Sequence, residues 1–296
     1  MANSFEDRNG WIWMNGDFIP WKNAKSHIIS QGLHYASAVF EGERAYNGII
    51  FKSQEHTKRF FQSAKIIGIR IPYSEEEINI AKNELIKKMS YKDCYVRPLA
   101  WRGGEQMGIS TTNSNINVAI AVWDDWASYF KIEDRKAGLK LITSPWKRPA
   151  PDTAPYEAKA SGPYIICTMS KEFAESKGYH DALMLDYRGY VAEGTGANIF
   201  FIKDKDIHTP IPDCFLNGIT RQAVIKMVTK QGYKITERHI LPSEIDSYDE
   251  AFLTGTAAEI TPIKSIDEVS FNTGDSSTTF KFMGDFSEMV KSSSNN

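Results

Sequence analysis

The sequence predicts a mixed α+β protein of two domains. Its 296 residues suffice for two ordinary domains, each with its own apolar core. Segments with strand periodicity and segments with helical periodicity occur in both halves. The polar, aromatic stretch WDDWASYFKIEDRKAG interrupts the strand pattern near the middle. We therefore predict a smaller N-terminal α/β domain over 1–124, an interdomain loop over 125–137 and a larger C-terminal domain over 138–296.

Turn and cap signals predict the elements of the N-terminal part. Asn-Gly pairs at 15–16 and 47–48 each separate two apolar segments, which is typical of tight β-hairpins. Ser53 is placed to cap one helix, and Ser74 with Glu77 matches a capping box for the next.

The segment YVRPLAW predicts a strand with two different faces. Strand geometry places Tyr95, Arg97 and Leu99 on one face and Val96 and Ala100 on the other. The first face carries the polar groups, so it is either an exposed face or an anion-binding one.

The C-terminal part alternates strands and helices. LKLITSPW predicts a strand, and a helix follows through Lys171 and Glu175. Residues 181–209 predict strands separated by polar turns, and Gly218 precedes a further helix.

Composition excludes several classes of function. Lys+Arg 35 against Asp+Glu 37 gives a net charge of −2, which does not favour nucleic acid or an anionic membrane as a partner. Cys94, Cys167 and Cys214 form no metal-binding spacing, so no metal is expected, and their sparse, odd number fits the reducing cytoplasm. We see neither a signal peptide nor an apolar run of about 20 residues that could span a membrane.

A single lysine stands among small residues in PYEAKASGPY, which runs from 155 to 164. The ordinary interpretation of Lys159 is a loop lysine whose ammonium reaches solvent. The alternative is a nucleophilic amine that reacts with an aldehyde. These ten residues leave both interpretations open.

Two loops of small residues could bind a phosphate. In LNGITR, Gly218 precedes a predicted helix whose first amides would point at an anion. LTGTAA, at 253–258, is a second loop able to present amides and hydroxyls. Arg59 could supply the cation. Taken singly, each feature is more commonly a plain helix start or a solvent-facing side chain.

Glu193 ends an apolar strand directly before a glycine turn. A buried carboxylate there needs a partner, such as a protonated ring nitrogen. The ordinary alternative is a turn acid in water. The neighbouring Gly194 and Gly196 do not form a dinucleotide fingerprint, because Ile199 occupies the position of the last glycine.

Seven segments, taken together, resemble the branched-chain amino acid aminotransferases among the class IV aminotransferases. They occur in the family's order and span nearly the whole chain. The segments are HYASAVFEGERAY (34–46), EHTKRF (55–60), YVRPL (95–99), the lysine loop (155–164), DALMLDYRGYVAEGTGANIF (181–200), LNGITR (216–221) and LTGTAAEITPI (253–263).

The resemblance implies a role for each matching residue. Lys159 resembles the lysine that links covalently to pyridoxal 5'-phosphate, and Glu193 the acid that pairs with its ring nitrogen. The other residues implied to bind the cofactor are Arg59, Tyr164, Asn198, Ile219, Thr220 and Thr256. Those implied to bind the substrate carboxylate are Tyr95, Arg97, Thr256 and Ala257, and those implied to line the apolar side-chain pocket are Tyr35, Phe40, Trp126 and Tyr129.

The resemblance also implies the fold and the reaction. The fold is the two-domain D-amino acid aminotransferase-like architecture of fold-type IV pyridoxal-phosphate enzymes, whose larger domain is a pseudo-barrel. The reaction is the ping-pong transfer of an amino group from leucine, isoleucine or valine to 2-oxoglutarate. A homodimer is the implied minimal unit, since some site residues come from the neighbouring subunit.

Two departures from the family leave the substrate open. Residues 161–163 read Ser-Gly-Pro where Gly-Gly-Asn is common, and Arg102 adds a cation after YVRPL. Arg102 either points to solvent or alters substrate choice. The alternatives are therefore a D-amino acid or amine transaminase, an aminodeoxychorismate lyase, and a catalytically inactive homologue that acts as a binding protein.

Overall fold

The computed structural model describes residues 4–124, 135 and 137–293. The chain divides into two compact units. The first comprises residues 1–126, 158–162 and 293–296, and the second comprises 127–157 and 163–292. Lys159 therefore belongs to the first unit, although it lies beyond the predicted N-terminal domain in sequence.

The first unit contains an antiparallel sheet and helices. Its strands are β1 (Trp11–Met14), β2 (Asp17–Pro20), β3 (Ala38–Phe40), β4 (Glu43–Tyr46), β5 (Ile49–Ile50), β6 (Cys94–Arg102) and β7 (Ile116–Trp123). Its helices are α1 (Gln31–His34), α2 (Ser53–Ile66) and α3 (Glu75–Met89), with 3-10 turns at Phe5–Asp7 and Trp21–Asn23.

The strand order of this sheet is β2-β1-β7-β6-β4-β5, and β3 also pairs with β6. On β6, Val96 and Ala100 are fully buried in a core with Phe60 of α2 and Leu85 of α3. The odd-numbered residues of β6 lie on the other face, as the alternation predicts. This sheet therefore has one face against helices and one that carries Arg97.

Local signals account for most element boundaries. Both Asn-Gly turns have the positive φ angles of tight hairpins, and the capping box of Ser74 and Glu77 is present. The prediction that Ser53 caps α2 is wrong. Lys52 occupies the N-cap position in the left-handed region, and the Ser53 hydroxyl donates to Asn79 Oδ1 at 3.0 Å. The next helix, α3, thus binds the hydroxyl that would have capped α2.

A buried ion pair lies inside the first unit. The side chains of Glu43 and Lys82 are both 0% exposed, and Lys82 Nζ donates to Glu43 Oε2 at 2.7 Å and Oε1 at 3.0 Å. Lys82 also donates to Thr57 Oγ1 at 2.7 Å, which joins α3 to α2. Burial raises the pKa of the Glu43 carboxyl, and Lys82 opposes that rise.

The second unit contains the longer sheet. Its strands are β8 (Leu139–Arg148), β9 (Asp181–Asp186), β10 (Val191–Glu193), β11 (Asn198–Lys203), β12 (Asp206–Thr209), β13 (Lys234–Glu237), β14 (Glu250–Gly255), β15 (Glu259–Ile266) and β16 (Val269–Ser270). Its helices are α4 (Tyr164–Ser176), α5 (Ile219–Lys230) and α6 (Thr278–Ser293), with a 3-10 helix at Pro242–Ser247.

Six strands of this sheet close on themselves. The order β10-β9-β8-β15-β14-β11 returns to β10, because Glu193 of β10 pairs with Asn198 of β11. The β8–β9 and β8–β15 pairs are parallel, and the other pairs of the ring are antiparallel. The mixed α+β class with a barrel-like sheet is thus confirmed.

Among the described residues, no helix combines the length and apolar character needed to cross a bilayer.

We expect Lys82→Met to destabilise the first unit by about 3–5 kcal/mol, because it leaves the Glu43 carboxylate buried without a cation. Urea unfolding followed by tryptophan fluorescence measures this, since most of the tryptophans lie in that unit. The double variant Lys82→Met/Glu43→Met removes both charges and should recover most of the loss. A single variant as stable as the parent would show that the pair contributes little.

Candidate active site

The Lys159 loop is held by backbone pairing to β3. The Phe40 N–H donates to the Lys159 carbonyl at 3.1 Å, and the Ser161 N–H donates to the Ala38 carbonyl at 2.9 Å. The Lys159 N–H donates to Ser63 Oγ of α2 at 3.0 Å. The backbone on both sides of the lysine is therefore fixed to β3 and α2.

The Lys159 amine lies beside an aromatic ring. Its Nζ is 4.8 Å from the centroid of Phe40, and the guanidinium carbon of Arg97 is 4.9 Å from the same ring. The face of a phenyl ring attracts cations, so Phe40 orders both groups. Arg97 Nη2 also donates to Tyr95 Oη at 3.3 Å. Four residues proposed from the sequence, namely Lys159, Phe40, Tyr95 and Arg97, thus meet in the first unit.

Arg97 also lines a largely apolar cavity of about 400 Å³. The apolar walls include Met14, Leu99 and Trp101. Arg97 Nε is buried and has no hydrogen-bond partner among the described residues. A buried, unsatisfied donor of a cation beside apolar walls suits a ligand that combines a carboxylate with an aliphatic chain.

Arg59 forms a forked ion pair with a buried glutamate. Its Nε donates to Glu41 Oε1 at 2.6 Å, and its Nη2 donates to Glu41 Oε2 at 2.9 Å. His56 Nδ1 lies 2.8 Å from Glu41 Oε2. Arg59 is therefore a fixed cation on α2, one turn before Ser63, which accepts from the Lys159 backbone.

Glu193 lies at the closing pair of the barrel-like ring, beside a buried arginine. Arg148 Nε is 3.5 Å from Glu193 Oε1, an ion pair without a direct hydrogen bond. Burial lowers the pKa of Arg148, but Glu193 together with the nearby Cys167, Tyr164 and Cys214 more than offsets it, and the pKa is raised. Asn198 Nδ2 lies 3.4 Å from Glu193 Oε2. This arrangement orients a largely buried carboxylate between a cation and an amide.

Asn198 also shapes the start of helix α5. Its Nδ2 donates to the Leu216 carbonyl at 3.0 Å, and its Oδ1 accepts from the Gly218 N–H at 3.1 Å. A Cβ at position 218 would lie 2.3 Å from Asn198 Oδ1, so only glycine fits there. Within the described chain no side chain caps α5, which leaves the amides of Ile219 and Thr220 able to bind an anion.

The turn after β14 presents the second small-residue loop. Thr256 and Ala257 lie in this turn and are partly exposed. Thr254, at the end of β14, has a buried hydroxyl oxygen without a partner among the described residues. It is paired in register with Asn198, which is itself paired with Glu193, so one strand separates Thr254 from Glu193.

Comparison with known proteins agrees with this set of groups. Residues 38–266 match the family model described as amino-transferase class IV. The branched-chain-amino-acid aminotransferase of Pseudomonas aeruginosa is 41% identical over 268 residues, which cover 89% of this chain and 87% of the relative.

Two solved structures of the branched-chain amino acid aminotransferase from T.th. are also similar. The one with pyridoxamine 5'-phosphate has a TM-score of 0.91 and 38% identity, covering 96% of this chain and 95% of that one. The one complexed with N-(5'-phosphopyridoxyl)-L-glutamate has a TM-score of 0.90 and 37% identity, covering 96% and 95%.

The chain belongs to the class IV aminotransferases. Because enzymes of this family use pyridoxal phosphate, it is a pyridoxal-phosphate-dependent transaminase, as the sequence predicted.

The residues present fit that cofactor. It carries an aldehyde, a ring nitrogen and a phosphate. The first unit offers the Lys159 amine and the Arg59 cation, and the second unit offers the Glu193 carboxylate next to Arg148 and the first amides of α5. The unsatisfied Thr254 hydroxyl is a buried polar group that a bound molecule with acceptor oxygens explains.

The remaining predicted residues have varied positions. Tyr164 begins α4 and lies near enough to Arg148 to contribute to its raised pKa. Tyr35 is 47% exposed on the first unit. Trp126 and Tyr129 lie outside the described residues.

Three supporting residues were not predicted: Glu41, Arg148 and Ser63. Glu41 had a detectable signal, because an acid in the apolar strand segment AVFEGERAY requires a cation if it is buried. Arg148 and Ser63 had none, since their partners lie far away in sequence.

Arg102 neither reaches the face of Arg97 nor points to solvent. Five positions separate it from Arg97 on β6, so the two side chains leave opposite faces. Arg102 is 7% exposed, and its Nη2 donates to the Gly68 carbonyl at 2.6 Å, just beyond the end of α2. Its role is to bind the C-terminal end of that helix.

We expect Arg148→Met to make the stability of the cofactor-stripped enzyme pH-dependent. Without its cation, buried Glu193 has a raised pKa in the folded state. A carboxyl whose pKa is higher in the folded protein than in the unfolded chain stabilises the fold when it is protonated. This contribution is complete below the pKa of the unfolded chain, about 4.3, and is lost as the pH rises through the folded-state pKa.

The difference in melting temperature between Arg148→Met and the parent, measured from pH 5 to pH 8, should therefore become more negative as the pH rises. The double variant Arg148→Met/Glu193→Gln should show no such slope. An equal slope in both variants would mean that another group titrates.

Proposed function

We propose that this enzyme transfers the amino group of leucine, isoleucine and valine to 2-oxoglutarate. The observation that carries the proposal is the identity of 36–42% over most of the chain to relatives named branched-chain-amino-acid aminotransferase. The T.th. relative has been captured with a glutamate derivative of the cofactor, which supports glutamate as a product.

The geometry around Arg97 supports an aliphatic amino acid as the other substrate. The guanidinium binds the α-carboxylate, as in other sites where arginine binds planar anions. Phe40 and the neighbouring apolar walls offer a substrate side chain dispersion contacts. The described walls of that cavity include no acidic side chain, so a cationic substrate side chain would find no partner there.

The roles of the chain's residues follow from their chemistry. When bound, pyridoxal phosphate supplies an aldehyde that links to amines and a ring that accepts an electron pair. The Lys159 amine would take the proton from the substrate α-carbon and deliver it to the aldehyde carbon of the cofactor. Glu193 holds a proton at the ring nitrogen by accepting a hydrogen bond from it. Tyr164 binds the ring oxygen, and Asn198 orients Glu193.

We propose that the two small-residue turns, at 216–221 and 253–258, bind the cofactor phosphate and the substrate carboxylate. We assign the phosphate to Arg59, the amides of Ile219 and Thr220, and Thr256. The amides of Thr256 and Ala257 assist Arg97 and Tyr95 at the carboxylate. We assign the pocket for the substrate side chain to Phe40, Tyr35, Trp126 and Tyr129.

We also propose that the functional unit is at least a homodimer, and that Tyr35 serves the neighbouring subunit's site. A patch of large apolar side chains on the first unit is exposed: Ile28 70%, Leu33 63%, Tyr35 47%, Met107 50% and Ile109 86%. The Gln31 amide joins its two segments by donating to the Gly108 and Ser110 carbonyls at 2.8 and 2.7 Å. An ordered patch of this kind is typical of an interface.

The cytoplasm is the proposed location, since all three cysteines are buried thiols.

The purified enzyme should show a visible absorption band from bound cofactor. L-Leucine should bleach the band, 2-oxoglutarate should restore it, and Lys159→Ala should lack it because no amine links the aldehyde. Absorption scans before and after each addition measure this. Bleaching by a D-amino acid or an amine in place of L-leucine would keep the cofactor and overturn the proposed substrate.

A hybrid experiment tests whether Tyr35 acts across subunits. Tyr35→Ala and Lys159→Ala should each be poorly active or inactive. Unfolding and refolding them as a mixture should restore activity, because a hybrid dimer then holds one site with both residues intact. Each variant refolded alone is the control. No recovery, despite hybrid dimers detected by mass spectrometry, would place Tyr35 in its own subunit's site.

A further inference from the structure

We infer that Glu41 is the positioning residue of the phosphate-binding site, fixing the Arg59 guanidinium with the help of His56. The inference rests on the phosphate role proposed for Arg59. Glu41 itself touches neither the substrate nor the cofactor in this assignment. It acts on binding through Arg59 alone.

The fork between Glu41 and Arg59 determines how the guanidinium is oriented. Two parallel hydrogen bonds, at 2.6 and 2.9 Å, engage Nε and Nη2 and place the guanidinium in the plane of the carboxylate. A long arginine side chain otherwise loses substantial rotamer freedom on binding a ligand. Glu41 removes that freedom in advance, so the cation is pre-organised for an anion.

The carboxylate that holds Arg59 is itself held. Its Oε2 also accepts from the Gly42 N–H at 3.2 Å and lies 2.8 Å from His56 Nδ1. His56 precedes Arg59 by three residues on α2, so both contact Glu41 from the same helix face. Burial alone raises the pKa of Glu41, but Arg59 and His56 more than offset it and hold the pKa well below its ordinary value.

The same strand and helix also hold the lysine loop. Phe40, directly before Glu41, donates its N–H to the Lys159 carbonyl, and Ser63 on α2 accepts from the Lys159 N–H. The backbone of the amine and the cation are thus fixed to one frame. Glu41 contacts Arg59, whereas Phe40 and Ser63 contact the lysine loop. Replacing Glu41 should therefore weaken binding of the cofactor's phosphate and leave the reaction of its aldehyde with Lys159 unaffected.

A purely structural role for Glu41 is the alternative, and the chain provides a matched control. Glu43 lies two residues further along, is equally buried and also pairs with a helix cation, Lys82. Both of its carboxylate oxygens accept from Lys82. Any effect of removing a buried carboxylate from this segment should therefore appear in Glu43→Gln as well.

The experiment compares two probes that differ only by the phosphate. Cofactor-stripped parent enzyme, Glu41→Gln, Glu43→Gln and Arg59→Ala are titrated with pyridoxal phosphate and with pyridoxal, following the visible band. Glu41→Gln should weaken binding of pyridoxal phosphate by about tenfold and change pyridoxal binding by less than about twofold. Glu43→Gln should leave the ratio of the two dissociation constants at the parent value.

The outcomes separate this inference from the proposed function. If Arg59→Ala loses preference for pyridoxal phosphate over pyridoxal while Glu41→Gln keeps the parent's preference, only the positioning role of Glu41 is overturned. If Arg59→Ala keeps the parent's preference for pyridoxal phosphate over pyridoxal, the phosphate role of Arg59 is overturned, and the inference with it. If Glu41→Gln does not fold, Glu41→Asp decides, because it keeps the charge but withdraws the carboxylate from Arg59. An unchanged ratio in that variant overturns the inference.

Discussion

The backbone pairing between β3 and the lysine loop is the interaction on which the site depends. The hydrogen bonds of Ala38 and Phe40 with Ser161 and Lys159 bring a residue from the second half of the sequence into the first unit. This pairing fixes the backbone from which the Lys159 amine projects. It explains why small residues surround Lys159, since Ala158 and Ala160 are buried in the same core as Val39.

Buried charge is the second constraint, and the molecule satisfies it locally. Glu41, Glu43 and Glu193 are all buried, and each has a cationic partner: Arg59, Lys82 and Arg148 respectively. An ionised carboxylate in such surroundings without its partner would be strongly destabilising. The pairs have different consequences, however. Lys82 joins helices and carries no proposed ligand, whereas Arg59 is proposed to bind the phosphate and Arg148 pairs with the carboxylate proposed for the ring nitrogen.

Ring closure of the second sheet determines the geometry around Glu193. Because β10 pairs with β11 through Glu193 and Asn198, the carboxylate lies beside the amide that also orders residues 216–218. Asn198 thereby contacts both Glu193, the acid proposed for the ring nitrogen, and the start of α5, which is proposed to bind the phosphate. The glycine at 218 is required by this crowding rather than by backbone conformation, since its φ is −59°. A change at Asn198 would therefore disturb two functional groups at once.

The sequence by itself determined the local structure and the chemical groups. Asn-Gly turns, the capping box of Ser74 and the two faces of β6 follow from short-range sterics and periodicity, and the ordered motifs identify Lys159, Glu193 and Arg59. The tertiary structure decided the partners. Glu41 with Arg59, Arg148 with Glu193, and Ser63 with the lysine loop are pairs 18 to 96 residues apart, and periodicity carries no information over such distances. It also decided that Arg102 binds the end of α2, because only packing determines which buried carbonyl a long cation reaches.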